Sequence, residues 1–187
     1  QGFNIKSSTA KDALKNVKEL TGLFGRWDVI SDHPIIILDV AHNEDGIKQL
    51  LKQAGVMSRE SEVGSRELGV RSREPGVGSR EPGVGSRELS GLHIVLGMVK
   101  DKDVSKVLSI LPKNAHYYFS NAPIARALPH EVLKEKAAAF DLHGESFEDV
   151  NMAIEAASQH AAAGDIIIVC GSVFLIAEVD TDLFKTI

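Results

Sequence analysis

The chain has 187 residues, 43% of them hydrophobic, and a formal net charge of −5 from 21 Lys and Arg against 26 Asp and Glu. That apolar share suits one globular domain with a substantial core, and the acidic balance gives no electrostatic reason to expect nucleic acid or an anionic membrane as partner. The single cysteine, Cys170, excludes an internal disulfide framework and fits a reducing cytoplasm, while no apolar run approaches the ~20 residues needed to span a bilayer.

The chain opens on QGFNIKSS, without an initiator Met and without the charged-then-apolar form of a secretory signal. A processed chain or a fragment is the expectation. Asp12–Leu23 has helical spacing at Leu14, Val17, Leu20 and Leu23. Two strands are predicted next, Trp27–Ile30 and Ile35–Ala41. Asn43–Gly55 reads as a helix, with an Asn cap, acids in its first turn and a Gly at its end.

From Ser58 a seven-residue unit recurs: SRESEVG, SRELGVR, SREPGVG, SREPGVG and a partial SRELS. A period of seven invites a coiled-coil reading, but Gly and Pro recur within the units and each holds little that could be buried. Residues 58–90 are therefore expected to form a disordered or weakly ordered low-complexity insertion. Such an insertion is tolerable in a compact domain, because the entropy of closing a loop grows only logarithmically with its length.

Beyond it the alternation resumes. Leu92–Val99 is a strand, and Asp103–Pro112 is a helix stopped by Pro. Ala115–Ser120 is a strand, and Pro129–Phe140 a helix with Pro near its start. Phe147–Gly164 is a helix ended by Gly, Asp165–Gly171 a strand, and Ser172–Val179 a terminal helix. Alternating strands and helices with near-continuous Ile, Val and Leu predict an α/β fold, a Rossmann-like, mostly parallel sheet with helices on both faces. Ligands of such sheets sit beyond the carboxyl ends of the strands. The polar groups that follow the apolar strands should share that rim: Asp39 and His42, Lys100–Asp103, Ser120 and Asn121, Gly171 and Ser172.

Each has a plain and a functional reading. Asp39 is a turn cap or a ligand for hydroxyls or cations. His42 is an ordinary surface residue or a donor to a phosphate or sugar, and Asn43 starts a helix whose free N–H groups favour an anion. Arg26, in the Gly-containing turn FGRW, is solvated or suited to bidentate phosphate contact. The charged stretch GMVKDKD (97–103) is a solvated loop or part of a site. Ser172 caps a helix or holds a carboxylate. Arg126, between prolines in SNAPIARALP (120–129), docks a helix or touches substrate. Cys170 is a packed core thiol. The seven histidines are scattered without metal-ligand spacing. No Gly-Lys pair, and so no phosphate-cradling loop, occurs in the chain.

Taken in order, GRW, ILDVAHN, GMVKDKD, SNAPIARALP and VCGSVFLIAEV resemble the C-terminal domain of the folylpolyglutamate synthase/dihydrofolate synthase family, within the Mur ligase superfamily. The resemblance covers nearly the whole chain apart from the insertion. It implies one domain over 1–187, with a linker and leading helix at 1–25. It also implies an ATP-dependent ligase that adds L-glutamate to dihydropteroate or folates through an acyl phosphate. ATP and Mg²⁺ would be bound mainly by an N-terminal P-loop domain that this chain lacks. The isolated chain is expected to be inactive, monomeric and cytoplasmic. By the resemblance Arg26, Asp39, His42 and Asn43 would face the nucleotide, and Ser120, Arg126 and Ser172 the glutamate side. Glu44 and Asp45 stand where the family commonly has Pro after His-Asn, which adds negative charge near an anion site. Two other readings stay open: the C-terminal domain of another Mur-type amino-acid ligase, or a non-catalytic or degenerate module that binds small anions.

Overall fold

The computed structural model describes residues 6–16, 24–55 and 91–184. The 58–90 repeat lies outside these residues, as do residues 17–23 of the helix expected at Asp12–Leu23; the helix seen there, α1, spans Ser7–Lys15. Then follow β1 Asp28–Asp32, β2 Ile35–Leu38, α2 Glu44–Gln53, β3 Leu92–Leu96, α3 Val104–Leu108, β4 His116–Phe119, α4 His130–Ala138, β5 Gly144–Ser146, α5 Val150–His160, β6 Ile166–Cys170, α6 Val173–Ala177 and a 3-10 turn at Thr181–Phe184.

Among the described residues the strands form one six-stranded sheet in the order β1-β2-β6-β3-β4-β5. β2, β6, β3, β4 and β5 run parallel, and only β1 is antiparallel, on the edge beside β2. The continuous apolar runs follow from burial on both faces. Ile35 and Ile37 of β2, Ile94 and Leu96 of β3, and Ile166, Ile168 and Cys170 of β6 pack with Ile47 and Leu51 of α2, Val107 of α3 and Leu133 of α4. The alternate residues, Ile36, Leu38, Val95, Ile167 and Val169, pack with Ile154 and Ala157 of α5 and Leu175 and Ile176 of α6. One face thus carries α2, α3 and α4, and the other α5 and α6.

The sequence reading missed β5, whose residues Gly-Glu-Ser carry no apolar signal; it exists because β4 supplies a partner edge, pairing Tyr117 with Gly144 and Phe119 with Ser146. The helix expected at Asp103–Pro112 is confined to Val104–Leu108 and ends in turns. Asp103 caps it, accepting a hydrogen bond from the Lys106 N–H.

Candidate functional site

The antiparallel course of β1 explains how the Gly-Arg turn reaches the carboxyl rim. Asp28, the first residue of β1, pairs with Leu38, the last of β2, so the turn before β1 sits where β2 ends. Residue 25 must be glycine on two counts. Its φ of +81° is left-handed, and an added Cβ would lie 2.7 Å from Val40 Cγ1 and 2.9 Å from Ile176 Cγ2. Trp27 is also left-handed, with φ 52°, a conformation that needs outside support in a bulky residue.

Asp39 provides that support. Its Oδ2 accepts the Trp27 N–H at 2.9 Å and its Oδ1 the Ala41 N–H at 2.8 Å. Asp28 accepts the N–H groups of Gly25 and Arg26 from the other side. The Gly25 carbonyl in turn accepts the Val40 N–H at 2.7 Å, and the Ala41 carbonyl accepts the Gly171 N–H at 2.7 Å. Three stretches picked from the sequence are therefore bonded in series: the Gly-Arg turn, ILDVAHN through Asp39, Val40 and Ala41, and the Gly171 turn. The Arg26 side chain is exposed on this frame.

Beyond Ala41, the His42 ring lies against the Val40 carbonyl, Nδ1 to O 2.9 Å. Asn43 caps α2 by accepting the Gly46 N–H at 2.8 Å. His42, Asn43, Glu44 and Asp45 form one wall of a cleft of about 230 Å³, and Lys102, Asp103 and Lys106 form the other. Three carboxylates and two lysines line it, and a third lysine, Lys48, neutralises Glu44 from outside the cleft. Lys48 reaches Glu44 at 2.5 Å, and Lys106 reaches Asp103 at 3.1 Å. Both acids are held below the usual carboxylate range, each first by the hydrogen bond from its lysine. Arg26 and Asp39 do not line this cleft.

The remaining candidates gather at the ends of β3, β4 and β6. Ser172 caps α6, its Oγ accepting the Phe174 N–H at 3.2 Å, so the cap reading holds geometrically. Arg126 stands 5.3 Å above the Phe174 ring and pairs with Asp101 at 2.6 Å. Phe174 was not singled out from the sequence; its position two residues after Ser172 in VCGSVF is the signal that a basic residue could stack there. Lys100 Nζ adds a bond to the Ala125 carbonyl at 2.9 Å, so the KDKD stretch and the Arg126 loop brace each other. Ser120 lies beneath, fully buried, with its Oγ unpartnered. Cys170 is a core thiol, pushed up to about 12 chiefly by burial. Among the described residues no group of three or more His, Cys, Asp or Glu could hold a metal ion, and no helix is long and apolar enough to cross a membrane.

The mostly parallel six-stranded sheet with its helices matches the fold of a Mur ligase C-terminal domain, and the profile described as "Mur ligase, glutamate ligase domain" matches residues 85–173. The chain is homologous to the C-terminal part of dihydrofolate synthase/folylpolyglutamate synthases. It is 25% identical to the Escherichia coli enzyme over 180 residues, which is 95% of this chain and 34% of that one. Its fold matches the solved bifunctional folylpolyglutamate synthase/dihydrofolate synthase of Yersinia pestis CO92 at TM-score 0.66, with 24% identity over 97% of this chain and 35% of that one. A further solved enzyme of that description, with Mn, AMPPNP and L-glutamate bound, matches at TM-score 0.60 and 28% identity over 86% of this chain and 32% of that one. The chain spans about a third of the length of the curated relatives it matches.

Proposed function

We propose that this chain is the C-terminal domain of an ATP-dependent ligase that joins L-glutamate to dihydropteroate or a folate. In the proposed reaction a carboxylate oxygen attacks the γ-phosphorus of ATP and ADP leaves; the glutamate amine then displaces phosphate from the acyl carbon. ATP and Mg²⁺ would be held chiefly by a P-loop domain outside this chain.

The observation that carries the reading is the bonded frame linking the Gly25–Trp27 turn, Asp39, Ala41 and Gly171. Such a frame holds the Arg26 backbone fixed while the guanidinium projects from an exposed turn. On closure against an ATPase domain, an arginine so placed brings positive charge to the phosphates only when water is being excluded, which protects an acyl phosphate. Asp39 acts in this scheme by orienting the turn. His42 and Asn43 border the nucleotide. Arg126 and Ser172 line the glutamate side, with the loop that begins at Ser120. The protein works as a monomer in the cytoplasm, residues 1–187 forming one domain with 58–90 as a passive insertion.

The acidic pair Glu44 and Asp45, which lines the cleft beside His42 and Asn43, favours a second reading, in which this copy no longer binds nucleotide. Wild-type turnover of the chain joined to its P-loop domain separates the two, since the second reading expects none, and Arg26→Ala then tests the site. In the chain joined to its P-loop domain, Arg26→Ala should lower glutamate-dependent ATP turnover by ~10²-fold or more while urea unfolding shifts by no more than about 0.5 kcal/mol, as for an exposed side chain. Unchanged turnover in that variant would remove Arg26 from the site.

A further inference from the structure

At the opposite edge of the sheet, a line of polar groups runs from the turn before β6, through β3 and β4, to the end of α5. His93 Nε2 lies 3.3 Å from Asp165 Oδ2, and His93 Nδ1 lies 3.1 Å from the Tyr118 hydroxyl. The same hydroxyl lies 3.2 Å from His160 Nδ1. Asp165 also accepts the Ala162 N–H at 2.8 Å, closing the turn between α5 and β6. His93 and Asp165 are 3% and 6% exposed. His116 stacks on His93 with centroids 5.0 Å apart. A cavity of about 350 Å³ opens beside the line, with His143 and Glu145 on its wall.

Proton counting fixes the direction of every bond. An ionised carboxylate only accepts, so His93 Nε2 donates to Asp165, and the Nδ1 of a neutral His93 must then accept. The one phenol proton fills it. The Tyr118 oxygen is left to accept from His160, which must carry its proton on Nδ1. A second proton on His93 reverses the chain. With both imidazoles charged, each Nδ1 is a donor aimed at one oxygen, whose own proton has no acceptor left. The charged groups around His93 do not relieve this. Asp165 attracts the proton, His116 of β4 and His160 of α5 oppose it, and burial is the largest influence, holding His93 below the usual imidazole range. Glu145 of β5 acts on Tyr118 rather than on His93.

We propose that Asp165, His93, Tyr118 and His160 form a proton-sensitive latch, which fastens the end of α5 and the turn into β6 to the sheet while at least one of the two imidazoles is neutral and frees them when both carry a second proton. The sign follows from linkage: an opened state takes up the proton near pH ~6.5 and the closed state does so only lower, so closure weakens as pH falls below about 6.5. The effect of one such group is at most about tenfold per pH unit.

The test is NMR on the 187-residue chain. At pH 8 the ¹⁵N shifts should show His93 with its proton on Nε2 and His160 with its proton on Nδ1; the opposite tautomer at either ring overturns the latch. Hydrogen-exchange protection of the Ala162 amide, corrected for intrinsic rates, should fall several-fold between pH 7 and pH 5 in the wild type and stay level in His93→Gln. Equal pH dependence in both also overturns it. Tyr118→Phe, which keeps the ring, should release His160 from the Nδ1 tautomer, and an unchanged His160 spectrum contradicts the chain of donors.

Discussion

Asp39 carries more structure than its place at a strand end discloses. Both of its oxygens serve backbone N–H groups, one of them twelve residues away at a left-handed tryptophan. Asp39→Ala leaves the Trp27 N–H without that acceptor and should cost about 1–3 kcal/mol in urea unfolding, while Asp39→Asn, which keeps one carbonyl acceptor, should cost less. Equal stability of all three proteins would show that the turn holds itself. Cys170 gives a second check at this scale. Burial pushes its thiol up to about 12, so a thiol reagent at pH 8 should label it only as fast as the chain unfolds; prompt labelling of the native protein contradicts the packing. The sequence shows Asp39 and Cys170 plainly, since one follows and the other ends an apolar strand, and Arg26 by its place in a Gly-containing turn. It hides the partners, because those depend on which strands lie side by side.

The elements show the same division. Runs of Ile and Val announce β2, β3 and β6, and an Asn or Asp cap announces α2 and α3. Nothing local announces that β1 runs backwards on the edge, yet that orientation is what delivers the Gly-Arg turn to the rim. β5 is silent for a related reason, since Gly-Glu-Ser becomes a strand only beside β4. His93 and His116 read as scattered histidines, although each is the second or first residue of its strand and the two pair in register. The tight turns make a graded prediction. Gly25→Ala would press on side chains of Val40 and Ile176 and should cost about 1–3 kcal/mol. Gly171→Ala, at φ +107° with its Cβ 2.5 Å from the Gly97 carbonyl oxygen, should cost about 3 kcal/mol or more, because backbone yields less than a side chain. The reverse order in thermal or urea unfolding would show that the Gly97 strand end moves freely.

At the scale of the molecule, the sheet separates two kinds of polar edge. The carboxyl rim holds Arg26, Asp39, His42, Arg126 and Ser172 on frames of short backbone hydrogen bonds, and the amino edge holds the histidine line. The chain has no Gly-Lys pair of the kind found in a phosphate-cradling loop. On this account the domain supplies a closing surface and leaves the triphosphate to another part of a longer enzyme. The decisive measurement is glutamate-dependent ATP hydrolysis with dihydropteroate and with a folate as acceptor, run on this chain alone and on the chain joined to a P-loop ATPase domain. The account predicts no hydrolysis above background for the chain alone and turnover for the joined protein. Turnover by the chain alone, or none after joining to a P-loop domain that binds ATP, would contradict it.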